Sequence, residues 1–139
     1  MRAAFADFVT KTAHGGRGEC FYAGPTPVST YYDIDIASAY TVALSMLGLV
    51  DYDHPRVCLD AEGYRGHVLG FALVRVIHCP EEVRYPVFPV EGNGQNLMFP
   101  QMGLSYCTAA EIEVALNLGY EIELLHGVIY PWLDVNVRP

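Results

Sequence analysis

Thr108-Ala-Ala-Glu-Ile-Glu-Val-Ala-Leu-Asn-Leu-Gly-Tyr-Glu-Ile-Glu-Leu-Leu-His-Gly-Val-Ile-Tyr130 joins a helix directly to a strand. Thr108 and Glu111 have capping-box spacing, in which the hydroxyl accepts an early helical N–H and the carboxylate reaches back to the cap. Ile112, Ala115 and Leu116 fall on one helical face, and Gly119 supplies the left-handed exit. Glu121 to Tyr130 follows as a strand, stopped by Pro131. Upstream, Val68 to Cys79 is a second clear strand. Leu69, Phe71 and Leu73 take one of its faces, Val68, Ala72, Val74 and Val76 partly fill the other, and Arg75 sends one end to solvent.

Working outward, residues 2–12 carry Ala4, Phe5, Phe8 and Val9 at helical spacing, and Gly15-Gly16 is expected to end that helix. Glu19–Ala23 is expected to be a short strand, paired through a Pro-Gly hairpin with a β-rich Val28–Ile36. From Ser38 the period becomes helical through Tyr40, Ala43, Leu44 and Leu47, with Gly48 closing. Residues 51–66 are loop by composition. Residues 80–103 hold four prolines and three glycines, with short extended pieces at Val87–Val90 and Asn96–Phe99, while Gly92-Asn93-Gly94 is a turn. This order predicts an α+β fold, a mostly antiparallel sheet with two or three helices on it, in a single domain over residues 1–139.

With 139 residues, 52% of them apolar, the chain can build its own core without a disulfide or metal staple. A net charge of −8 excludes a generally basic, DNA-coating protein, because neutralising phosphates requires a surplus of Lys and Arg. Lys11 is the one lysine among eight basic residues, so anion binding would rest on placed arginines and backbone amides. Cys20, Cys58, Cys79 and Cys107 form no C-x-x-C pair and read as buried free thiols in a reducing compartment. The N-terminus lacks the apolar run of a signal peptide, and no stretch approaches about 18 apolar residues. A soluble, cytoplasmic domain is the expectation.

The chemistry-bearing stretch is Tyr31-Tyr-Asp-Ile-Asp-Ile-Ala-Ser-Ala-Tyr40. On a strand, Asp33 and Asp35 would share one face while Ile34 and Ile36 fill the other. Acids at a strand end, before amides that enter a helix, suit a divalent cation beside a phosphate. The alternative is that these carboxylates simply decorate an exposed edge strand. Other candidates are weaker. The five histidines, His14, His54, His67, His78 and His126, have no ligand spacing, and Asp51-Tyr-Asp53-His54 lacks the glutamate of a calcium loop. Glu91 to Leu97 reads as an exposed loop, and Ser105 and Cys107 have no evident base partner. Tyr22, Tyr31, Tyr32, Phe71, Phe88 and Phe99 read as core aromatics.

Asp35-Ile-Ala-Ser38-Ala-Tyr40 resembles the first catalytic motif of family B DNA polymerases, D-x-x-S-x-Y-P, and the preceding Tyr-Asp-Ile-Asp-Ile resembles its protein-primed branch in phages, linear plasmids and related viruses. Ala13-His14-Gly15-Gly16-Arg17 stands where that branch carries Y-x-G-G. The order of later segments agrees: a Phe71 strand, a proline-rich crossing, a helix start over Leu104–Glu111 and the strand after Gly119. The likeness spans roughly the whole chain, with its specificity in residues 35–40.

The resemblance implies the N-terminal part of a polymerase palm and, in the intact enzyme, nucleotidyl transfer from a deoxynucleoside triphosphate to a primer 3′-hydroxyl. Asp35 would ligate both ions of a two-magnesium or manganese site, and Tyr40 would exclude a 2′-hydroxyl. Amides of Ile36, Ala37, Ser38, Ala39 and Tyr40 would meet the triphosphate, and His14, Gly15, Gly16 and Arg17 would meet DNA. Asp33 would be a supporting or solvent-facing acid. Implied partners are primer-template DNA, the nucleotide, the fingers and remaining palm segments and a priming protein, without a membrane. The pattern departs at Thr41, where the family has proline, and at Ala13, where it has tyrosine. No counterpart of the fingers lysine or of Y-x-D-T-D-S precedes Pro139, so the isolated chain is expected to be inactive. The alternative is an inactive, palm-derived binding or self-association module.

Overall fold

The computed structural model describes residues 5–20, 22–92 and 96–133. In chain order the elements are α1 (Ala6–Thr10), α2 (Ala39–Ser45), β1 (Arg56–Val57), a 3-10 turn (Ala61–Tyr64), β2 (Leu69–His78), β3 (Val90–Glu91), β4 (Leu97–Met98), β5 (Gly103–Thr108), α3 (Ala109–Asn117) and β6 (Glu121–Tyr130). Four of the strands form one antiparallel sheet in the order β1-β6-β2-β5, and β3 pairs with β4 separately. The α+β expectation holds.

The capping box predicted at Thr108 starts α3, with Glu111 Oε2 accepting from Thr108 N at 2.7 Å and from its hydroxyl at 2.9 Å. At the other end Gly119 adopts φ +83°, and Tyr120 N donates to Ala115 O while Gly119 N donates to Leu116 O. That crossed pair of bonds is a Schellman closure, and it turns the chain straight into β6. Because β5 and β6 both run antiparallel to β2, they are parallel to each other, and α3 carries the chain over β2 between them. Ile112 and Ala115 on α3 are buried with Ala72 and Val74 of β2.

The buried face of β2 is therefore the one bearing Ala72, Val74 and Val76. Leu69, Phe71 and Leu73, on the opposite face, are only half-buried beneath α1. There Phe8 packs on Tyr106 and His126, at ring separations of 5.9 and 4.5 Å, and Phe5 meets His126. A single five-residue helix is too short to seal that face.

Several expectations are corrected. Gly103–Thr108 is a strand rather than a helix start; its buried positions are Ser105 and Cys107, so hydropathy alternation is muted, and Ser105 Oγ is satisfied by Pro89 O at 2.5 Å. The 51–66 loop contains β1 and a turn begun by Asp60, whose carboxylate accepts from Glu62 N. This turn delivers Tyr64, fully buried, across the sheet. A Cβ on Gly70 would lie 2.8 Å from its ring, and one on Gly127 would overlap its hydroxyl. The hydroxyl donates to Cys58 O at 2.9 Å. Helix α1 ends at Thr10, before the two glycines, where bonds from Lys11, Thr12 and Ala13 back to Phe8, Val9 and Thr10 tighten the chain.

No strand forms over the described residues of 19–23 or over 28–36. Alternating β-branched and aromatic residues favour a strand only where a pleated surface can be half-buried. Here Ile34 and Ile36 remain 88% and 75% exposed, as do Tyr22, Tyr31 and Tyr32 in large part, so the core expected of those three tyrosines is absent. Phe88 is core, while Phe71 and Phe99 are half-buried. All four cysteines are free; Cys79 and Cys107 are buried, Cys58 is half-buried and Cys20 is exposed. The part of the 92–94 turn at Asn93 and Gly94, with Gln95, lies outside the described residues, as do residues 2–4 of the first helix, including Ala4.

Gly127→Ala is expected to lower the urea midpoint at unchanged slope, by overpacking worth about 1–3 kcal/mol. An unaltered midpoint would show that Tyr64 does not seat there. Burial and a Cys79 contact push the Tyr120 phenol up to about 12, so the stability it contributes is whole below 10.0 and declines as pH rises from there through about 12. Tyrosinate absorbance should show a late-titrating class among the ten tyrosines; complete ionisation of the folded chain near 10.0 would contradict that burial.

Candidate functional site

Asp33 and Asp35 lie on the exposed segment that enters α2, with Ile36 and Ala37 also exposed. Without a strand, alternation does not hold the two carboxylates on one face. The turn into the helix is made by Ser38, the non-glycine residue with positive φ among those described, at φ 57° and ψ 31°. That left-handed residue costs a non-glycine side chain roughly 1–2 kcal/mol of strain. The first helical bond then runs from Val42 N to Ser38 O at 2.9 Å, so the N–H groups before it lack an intrahelical acceptor. Tyr40, in the first turn, is 80% exposed.

The second motif lies alongside. Residues 13–18 form an irregular strap between α1 and the α3 cap, and a Cβ on Gly16 would sit 3.5 Å from Tyr40 Oη. The fold thus brings together the glycine pair and the tyrosine that the sequence places 24 residues apart. Gly15 has open space around it.

Both polar residues of the strap are engaged internally. His14 Nδ1 lies 2.9 Å from Gly15 O and Nε2 lies 2.9 Å from Glu111 Oε1. Arg17 donates to Pro86 O at 2.6 Å and to Glu19 at 2.5 Å, and its guanidinium stands 4.1 Å from the Phe99 ring centroid. Neither side chain is a loose cation waiting for an anion, a fact that residue type alone does not reveal.

The described residues do not by themselves fit a magnesium site. Magnesium demands near-octahedral oxygen ligation, and no group of three His, Cys, Asp or Glu side chains converges among them. Asp51 accepts from Asp53 N and from His54 Nδ1, and its carboxyl is held below its ordinary value chiefly by the histidine; this segment is a self-bonded turn. His67 stacks on Trp132 at 4.7 Å, and His126 packs under α1. No helix among the described residues is long and apolar enough to cross a membrane.

No protein-family model matches the chain, and no solved structure does. Its sequence is similar to the primer-independent DNA polymerase PolB of Escherichia coli, with 45% identity over 132 residues. The match covers 95% of this chain, and the chain spans 15% of that relative's length. The α+β unit described above is therefore similar to one portion of a DNA polymerase.

An exposed carboxylate outside any cluster of three ligands holds divalent metal weakly. Manganese added to the chain should broaden resonances around Asp35 only near millimolar concentration, and Asp35→Asn should remove the effect. Micromolar binding, or broadening that survives the substitution, would place the metal elsewhere.

Proposed function

We propose that this chain is the N-terminal part of the palm of a family B DNA polymerase of the protein-primed branch. In that role it takes part in template-directed nucleotidyl transfer from a deoxynucleoside triphosphate to a primer 3′-hydroxyl and is incomplete by itself. The observation that carries this proposal is the 45% identity to a DNA polymerase along 95% of the chain. Support comes from the exposed Asp35–Tyr40 segment, from the left-handed Ser38 at the entry to α2 and from the proximity of Tyr40 to Gly16.

In this role Asp35 contributes one carboxylate to a magnesium or manganese site completed by substrate phosphates and by polypeptide outside this chain. Bound there, the metal supplies charge neutralisation. The N–H groups from Ile36 to Tyr40 face the triphosphate, and the Tyr40 ring lies beneath the sugar where a 2′-hydroxyl would collide. Gly15 and Gly16 present bare backbone to DNA. His14 and Arg17 flank that approach, and their internal bonds make them supports of the strap as much as contacts to phosphate. Partners are primer-template DNA, the nucleotide, the fingers and further palm segments, and a priming protein.

Primer extension by the polymerase that contains this chain tests the proposal. Asp35→Asn should lower incorporation at least about a hundredfold, the equivalent of a lost metal ligand. Tyr40→Ala should keep deoxynucleotide incorporation while raising relative ribonucleotide use about tenfold or more. Full activity in Asp35→Asn would overturn the assignment and favour the inactive interaction module. Comparing primed with unprimed templates decides whether strand initiation belongs to the same protein.

A further inference from the structure

His14 has acceptors at both ring nitrogens. Gly15 O can only accept, and Glu111 meets His14 through Oε1 while Oε2 is occupied by the Thr108 N–H and hydroxyl. A neutral imidazole has one N–H, so two acceptors at 2.9 Å are both satisfied only by the doubly protonated ring. We propose that His14 is a positioning residue, an imidazolium latch that pins the glycine strap to the α3 cap and makes the strap's placement beside Tyr40 follow pH. The latch stands on geometry alone; its bearing on DNA rests on the polymerase proposal.

The surrounding charges suit this. A cleft beside His14 is lined by Lys11 from the end of α1, Glu91 from β3 and Tyr106 from β5. Lys11 opposes a second cation, but its ammonium lies over the Tyr106 ring at 5.3 Å. Glu111 favours the imidazolium, and Arg17 further along the strap is neutralised by Glu19. Burial lowers the affinity of His14 for its second proton, and the Gly15 carbonyl and Glu111 outweigh that, leaving its pKa above 6.5. The latch is therefore fully closed below 6.5 and opens as pH rises through the folded value. Glu111 serves two structures at once, so the helix cap and the strap share one carboxylate.

Imidazole 15N and amide NMR on the 139-residue chain, from about pH 5 to about pH 8, tests the latch. Both His14 nitrogens should be protonated at the acid end, with a midpoint above 6.5, and the Gly15 and Gly16 amides and the Tyr40 ring should move with that midpoint. Glu111→Gln should lower the midpoint yet leave α3 capped, since glutamine also serves the capping box. His14→Arg should hold the strap resonances near their acid positions across the range, and His14→Asn should hold them at the alkaline ones. Strap amides that ignore the His14 titration, or an unmoved midpoint in Glu111→Gln, would overturn the latch. If the latch titrates as described while polymerase incorporation keeps the same pH profile in His14→Asn, its bearing on DNA is overturned and the latch is not.

Discussion

The fold depends on one aromatic ring laid across two glycines. Tyr64 leaves a short turn, enters beneath α3 and fills the space where side chains at Gly70 and Gly127 would stand. Those positions lie diagonally on β2 and β6, the central pair of the sheet. The ring thus replaces two missing side chains with one rigid body, and its hydroxyl closes the 58–64 segment through Cys58 O. Burial in that seat pushes the phenol up from its ordinary value. Ala109 of α3 lies over Gly70 in the same core cluster, so the helix covers this part of the sheet.

The strap is tied to the same helix. The α3 N-terminus carries Glu111, Glu111 holds His14, and His14 precedes the glycines that pass Tyr40. At the far end Arg17 is fixed by Pro86 O and the Phe99 face. An irregular segment without ladder bonds is thereby held at both ends by charge-assisted contacts. Beyond Tyr40 the pattern changes: α2 buries no residue, and Tyr40, Leu44 and Leu47 are exposed. A seven-residue helix with no buried face has little tertiary packing among the described residues to stabilise it.

What could be read from the sequence was local, and what could not was relational. The capping box at Thr108, the exit at Gly119 and the strand from Glu121 are set by neighbours within a few residues, and each formed where expected. So did β2, although its buried face was the one with the smaller side chains, while α2 began after Ser38 as expected but ended at Ser45, short of Gly48. The missed elements obey distant partners. β5 hides its buried face behind Ser105 and Cys107, and Tyr64 looks like any loop tyrosine until its glycine seat is seen. Gly127 inside a strand was a usable signal, since a strand glycine often marks the close approach of another group. The reverse error occurred at Val28–Ile36, where β-rich composition met no surface to bury against. For the site, residue types marked Asp35, Tyr40 and the glycine pair, but only the fold shows Gly16 beside Tyr40 and Arg17 already spoken for.

The most direct measurement is a crystal structure of the proposed polymerase, with this chain as part of it, in the presence of primer-template DNA, a deoxynucleotide and magnesium. The expected result is an Asp35 oxygen at about 2.1 Å from a metal that also touches the triphosphate, with the Tyr40 ring against the sugar and the Gly15–Gly16 backbone facing DNA. An Asp35 carboxylate turned away from the metal, with Tyr40 distant from the nucleotide, would contradict it.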